Sequence, residues 1–225
     1  MCGRTVFAGS DSIIKELGVI YKDEPRSVNL NAPPGAYVPV LTSEKPDELQ
    51  YYLWSVLAKY NETGKPDPKV RTFNARSDKL FTSSMWSKLI DRQTCVFNTT
   101  GFYEWQKLEK DNPKTPKQIH FIKEQGKNLT FMAGIYDVWL NRSTGELVPN
   151  CAMITHDANK YMLNIHDRMP AFIEWTKVKY WLDLSLPATE KLKLIDPVND
   201  DFLESFKMKS VGNLEEFQKI SLFCD

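Results

Sequence analysis

LTFMAGIYDVWL (129–140), NRSTG (141–145) and ELVPNCAMIT (146–155) read as two strands and the turn that joins them. Both flanks are rich in β-branched and aromatic residues, and a five-residue loop containing glycine is a common hairpin closure. Working outward, the same chemistry recurs in KQIHFIK (117–123), CVFNTTGFYEW (95–105), VRTFNAR (70–76) and YYLWSV (51–56), separated by turn-forming residues. Helical periodicity is confined to SIIKELGVI (12–20), DKLFTSSMWSKLI (78–90), EWTKVKYWLDL (174–184) and ATEKLKLI (188–195). NETGKPDPK (61–69) and EKDNPKTPK (109–117) have the composition of surface loops, and no segment repeats. The pattern predicts one α+β domain over residues 1–225, a mostly antiparallel, curved or barrel-like sheet with a few peripheral helices.

Composition excludes several classes. Of 225 residues, 42% are hydrophobic and 12% aromatic, which is ample material for a core and speaks against disorder. No run approaches the ~18 apolar residues of a membrane span, and MCGRTV lacks a signal-peptide core. An intracellular, monomeric protein without membrane contact is expected, nuclear in a eukaryote or cytoplasmic in a bacterium. The 29 Lys+Arg balance 29 Asp+Glu, so bulk charge does not drive polyanion binding. Locally the balance shifts: residues 57–92 hold eight basic against four acidic side chains, and residues 187–225 hold five against eight. Four cysteines, at 2, 95, 151 and 224, are too scattered for a disulfide framework or a zinc site, and neither metal nor cofactor is expected.

Position singles out Cys2. A small second residue favours removal of Met1, which would leave a free α-amine beside a thiol. The amine has a reference pKa of about 7.7 to 8.0, and a free thiol near 8.5 is a few per cent thiolate at neutral pH. An aldehyde meeting this pair forms a Schiff base and then accepts the sulfur, closing a five-membered thiazolidine. Three other segments offer polar groups where core residues are expected. In FNARS (73–77) alternation puts Asn74 and Arg76 on one face; in GFYEW (101–105) Glu104 stands among aromatic neighbours that strip its water, a setting suited to general acid or base work; in HDRMP (166–170) His166 and Arg168 point the same way.

MCGR at the N-terminus, FNARSD, GFYEW and HDRMP, in that order, resemble the SRAP family (SOS response-associated peptidase domain), also called abasic-site processing proteins. APPG with PVL (32–41), WSVLAKY (54–60), AMITHDAN (152–159) and SVGN (210–213) extend the resemblance over essentially the whole chain. It implies a protein that binds single-stranded DNA and traps the ring-opened aldehyde of an abasic site as a thiazolidine on Cys2. On the matching positions, Asn74 holds the Cys2 backbone and the sugar, Glu104 is the glutamate of the site, and His166 protonates the sugar ring oxygen. Arg4, Arg76 and Arg168 match arginines that hold phosphates, Thr155 matches a threonine near the same pocket, and Trp54 and Tyr60 stand at aromatic DNA-contact positions. One region departs from the pattern: the family's WGLIPxW is WSVLAKY here, with Tyr60 able to stack on a base at about 1 to 3 kcal/mol. Two other functions fit the same residues. An N-terminal-cysteine peptidase or amidohydrolase would use the α-amine as base for its own thiol, and a noncatalytic DNA-binding module would bind without any covalent product.

Overall fold

A computed structural model describes residues 2–8, 18–21, 28–109, 112, 115–195 and 197–220. The described strands are β1 (Thr5–Phe7), β2 (Ile20–Tyr21), β3 (Asn29–Ala32), β4 (Tyr37–Thr42), β5 (Glu48–Trp54), β6 (Asn74–Arg76) and β7 (Thr94–Thr99). They continue with β8 (Gly101–Lys107), β9 (Lys117–Glu124), β10 (Thr130–Leu140), β11 (Leu147–Asp157), β12 (Arg168–Pro170) and β13 (Leu203–Met208). The opening hairpin is β10 and β11, in register from Gly134 opposite Met153 to Leu140 opposite Leu147. Its turn closes with the Asn141 side-chain oxygen accepting the Ser143 amide at 3.0 Å and the Gly145 amide donating to Asn141 O at 2.7 Å.

The hairpin is part of a closed barrel. Its strands run β11-β10-β7-β4-β5, and a parallel pairing of Leu53 and Trp54 on β5 with Asn150 and Cys151 on β11 shuts the ring. Period-two alternation sorts the side chains. Val38, Val40, Tyr52, Trp54, Cys95, Phe97, Met132, Tyr136, Cys151 and Met153 share one buried cluster, the barrel interior. Leu41, Leu49, Val96, Ala133, Ile135, Ala152 and Ile154 face outward into a second cluster. Five strands enclose little space, so Gly134 is needed where a Cβ would stand 2.5 Å from the Phe97 ring. The outer face is covered by the helix Trp175–Leu182, which buries Val178, Trp181 and Leu182 at helical spacing. Each such side chain contributes roughly 1.5 to 3 kcal/mol by burial. Trp181 also donates its indole N–H to Cys95 O at 2.8 Å, tying the helix to β7.

A second sheet, ordered β13-β9-β8-β1-β3, continues from the barrel through the Thr99–Gly101 corner between β7 and β8. Its inner side chains Phe102 and Ile122 join the barrel-interior cluster together with Cys2. Val6, Tyr103, Phe121, Met208 and Phe217 form a third cluster on its other face. The α+β architecture with a curved, barrel-like sheet is therefore as expected.

Several local expectations change. In 78–90 the chain forms a 3-10 turn at Ser77–Lys79 and then separate turns rather than one helix. Ser83 offers its hydroxyl to the Met85 amide at 3.3 Å, a side-chain competitor for helical bonding. Only Asn74–Arg76 of the expected strand 70–76 pairs with a neighbour, on β11. Strand β4 was hidden in the sequence because Pro39 weakens a strand pattern; it lies beyond the residues that pair with β7. Of the expected helix 12–20, residues 12–17 lie outside the described residues. Among the described residues, no helix is long and apolar enough to cross a membrane.

Candidate active site

Strand β11 organises the site. Beyond Cys151, where β5 ends its pairing, β6 takes over the same edge: Asn74 lies opposite Met153 and Arg76 opposite Thr155. On the other edge, β12 brings Pro170 opposite Thr155 and Arg168 opposite Asp157. From the second sheet, β1 pairs with β8, Thr5 opposite Phe102, so the segment leading into β1 runs beside GFYEW. These pairings draw together four side chains far apart in sequence. Asn74 Nδ2 donates to Cys2 O at 2.8 Å across 72 residues. Glu104 is 4% exposed and acts on the Cys2 thiol through its charge. His166 Nε2 stands 4.0 Å from Glu104 Oε1.

Cys2 itself is 1% exposed, and its Sγ donates to Arg4 O at 3.8 Å. Burial, and after it the charge of Glu104, push the thiol far above its ordinary value. Against a reference thiol that is a few per cent ionised at neutral pH, burial favours the S–H form of Cys2. Asn74 Oδ1 is buried without a hydrogen-bond partner among the described residues. His166 Nδ1 faces both the Arg168 amide at 3.0 Å and Asp167 Oδ1 at 2.9 Å. One ring nitrogen cannot accept from the first and donate to the second. With the amide bond the ring carries its proton on Nε2, which faces Glu104; with a proton on both nitrogens Nδ1 pairs with Asp167 instead.

The remaining expected residues divide. Arg168 lies inside the site, donating Nη2 to Thr155 O at 2.7 Å and Nη1 to Asp157. Arg76 sits at the rim, half exposed and bidentate to Asp78, with both bonds 2.9 Å. Arg4 lies two residues beyond Cys2 along the chain, its Nη1 donating to Gly3 O at 2.8 Å. Trp54 is a correction. Expected at a DNA face, it is fully buried in the barrel, donating its indole N–H to Phe73 O at 2.8 Å with its ring edge-on to Phe73 and Phe97. Tyr60 is 78% exposed on the loop between β5 and β6, where it lines clefts of about 400 and 510 Å³ that do not include Cys2. Among the described residues no three His, Cys, Asp or Glu side chains converge to hold a metal.

One neighbour was overlooked in the sequence. His120 on β9 lies directly opposite Glu104, a placement only strand register reveals. Gln106 Nε2 donates to Asn164 O at 2.7 Å, so Gln106 Oε1, 3.0 Å from His120 Nε2, must accept; His120 therefore carries its proton on Nε2. Burial, and next the charge of Lys207, lower the His120 pKa from its ordinary value. Unfolded, the ring takes a proton near pH 6.5; folded, it resists, so its contribution to stability is complete above about pH 6.5 and is lost as pH falls below that. Thermal melts from pH 7.5 to 5.5 should fall more steeply for the natural protein than for His120→Gln, and parallel curves would refute this role.

Solved structures share the architecture. A Bacteroides thetaiotaomicron protein superposes with a TM-score of 0.77 at 23% identity, covering 97% of this chain and 94% of its own. A Bordetella bronchiseptica protein gives 0.76 at 16% identity, covering 93% of this chain and all of its own. In sequence, the chain is 28% identical over 218 residues to abasic site processing protein YoqW of Bacillus subtilis, covering 95% of this chain and 94% of that one. It is 35% identical over 156 residues to abasic site processing protein HMCES of Xenopus tropicalis, covering 60% of this chain and 46% of that longer one. The family model for SOS response associated peptidase (SRAP) matches residues 1–214, from before Cys2 to past β13, and so includes every strand that builds the site. The chain belongs to the SRAP family.

Proposed function

We propose that the chain processes abasic sites in DNA by forming a thiazolidine between Cys2, freed of Met1, and the ring-opened deoxyribose aldehyde in a single strand. The observation that carries this reading is the convergence of Cys2, Asn74, Glu104 and His166, with the Cys2 carbonyl held by Asn74 at 2.8 Å. Relatives named abasic site processing proteins support the same substrate.

The chemistry follows from the protonation states. The imidazolium form of His166 gives its Nε2 proton to the furanose ring oxygen as the C1–O bond breaks and is left as the neutral ring, while the C1 hydroxyl loses its proton to water and becomes the aldehyde. Glu104 accepts a proton from the α-ammonium, and the neutral amine attacks the aldehyde carbon. Loss of one water gives the imine. The S–H of Cys2 then adds across it: sulfur bonds to carbon, the π pair moves to nitrogen, and the thiol proton follows. A protonated, buried thiol suits this order, because sulfur enters second and its proton has a destination. Acyl transfer by a thiolate fits less well, since burial and Glu104 both oppose ionisation. Asn74 Oδ1 has an acceptor to offer a sugar hydroxyl, and Arg4, Arg76 and Arg168 supply donors for the adjoining phosphates, with the wholly buried Thr155 accepting from Arg168.

Incubation with a single-stranded oligonucleotide bearing one abasic site tests this. A heat-stable adduct should form without borohydride, with a mass equal to protein lacking Met1 plus DNA minus one water. Protein carrying an extra residue before Cys2 should form none. Release of shortened DNA or cleaved peptide without any adduct would overturn the proposal.

A further inference from the structure

Two arginines of the site, Arg76 at its rim and Arg168 inside it, are already paired with carboxylates. Arg76 and Asp78 meet through two parallel bonds of 2.9 Å, the fork geometry that guanidinium also uses for phosphate. Arg168 gives Nη1 to Asp157, while its Nε is buried without a hydrogen-bond partner among the described residues. The two pairs form one cluster. Arg76 is held charged first by Asp78 and more weakly by Asp157 and Asp167, and Asp78 is held below the usual carboxylate range by Arg76 with a smaller contribution from Arg168. Register explains the closeness: Thr155 on β11 is opposite Arg76 on one side, and Asp157, two residues on, is opposite Arg168 on the other. A face expected to be basic therefore carries Arg76 and Arg168 against Asp78, Asp157 and Asp167.

We propose that Asp78 and Asp157 are phosphate surrogates, Asp78 occupying the fork of Arg76 and Asp157 the Nη1 of Arg168 in the free protein, and yielding them when DNA phosphates arrive. This rests on the reading that the site takes DNA. Asp78 and Asp157 are both accessible, with side chains 47% and 89% exposed, so each can swing into solvent without disturbing the core. The exchange has two consequences. Weak anions and undamaged strands gain little, because each phosphate contact costs a carboxylate contact. Salt dependence is also muted: DNA releases a cation as its phosphate binds, and the freed carboxylate takes one up. A strand whose abasic sugar is engaged at Cys2 holds its neighbouring phosphates beside the forks and completes the exchange.

Fluorescence anisotropy with abasic and intact single strands, from 50 to 300 mM salt, tests the latch with Asp78→Asn and Asp157→Asn. Asp78→Asn should bind the intact strand about two- to fivefold tighter at low salt and the abasic strand by less, narrowing the preference for the abasic one. Its log–log salt slope should steepen by about 0.7, the value for one single-strand phosphate contact no longer offset by cation uptake. Both changes should vanish in an Arg76→Gln background. Weaker or unchanged binding by Asp78→Asn and Asp157→Asn, with the adduct still forming, overturns the latch and leaves the crosslinking reading intact. Tighter, steeper binding with no adduct from any of these proteins upholds the latch and overturns crosslinking. No binding by any of them overturns both.

Discussion

Cys2→Ala should form no heat-stable adduct with an abasic strand, a loss of at least about 100-fold in crosslinking rate, while still binding that strand reversibly. The amine would remain and could form an imine, but without sulfur the imine cannot close to a ring and hydrolyses back. Cys2→Ser separates the two steps. Its hydroxyl fills most of the same volume, so borohydride should trap an imine from Cys2→Ser that heating alone would not preserve. The folded state should suffer little. Cys2 is 1% exposed in the cluster that fills the barrel, and removing its sulfur leaves a small cavity costing about 1 kcal/mol. A melting temperature lowered by about 2 to 4 °C is the expected reading. Undiminished adduct from Cys2→Ala would refute Cys2 as the nucleophile; loss of both melting transition and binding would assign it a structural role instead.

Gly101→Ala should be among the most damaging single-methyl changes outside the reacting groups. A Cβ at Gly101 would stand 2.5 Å from Ile122 O and 2.5 Å from the Phe121 ring. The first of these is backbone, in the β8–β9 ladder where Phe102 lies opposite Ile122, so it cannot move without disturbing strand pairing. Overpacking of this kind costs about 3 kcal/mol, which lowers the melting temperature by about 6 to 12 °C. Gly101 also accepts the Thr5 hydroxyl at 2.9 Å, linking it to the strand that follows Cys2. Displacement there would move Cys2 relative to Glu104, so the fraction that stays folded should crosslink more slowly. Gly126→Ala provides the contrast: its φ is +67°, but nothing lies within 4 Å of the added carbon, so only backbone strain of about 1 kcal/mol applies. Equal melting temperatures for the two variants would refute the close-contact argument.

Much of this protein was legible as pattern. Period-two alternation located the β10–β11 hairpin and the barrel strands on either side of it, because a strand in a small barrel must put one set of side chains inside and the other under the covering helices. The four motifs placed Cys2, Asn74, Glu104 and His166 as candidates before any distance was known. Alternation is a local signal, and it fails where the chain's surroundings decide. Trp54 was expected at a DNA contact from the resemblance of WSVLAKY to the family motif. It is buried because β5 closes the barrel against β11, a parallel contact between strands almost 100 residues apart.

Charge shows the same division. Sequence alone determined that the chain is neutral overall, that its arginines cluster in strand-like motifs, and that Cys2 is the thiol set apart by position. Only the tertiary structure decided that Arg76 and Arg168 face Asp78 and Asp157, that His120 lies opposite Glu104, and that the Cys2 thiol is held protonated. The physical reason is register and burial. Which charges neutralise one another depends on which strands lie side by side, and a thiol's pKa depends on how much water the fold removes; neither quantity is local to a motif.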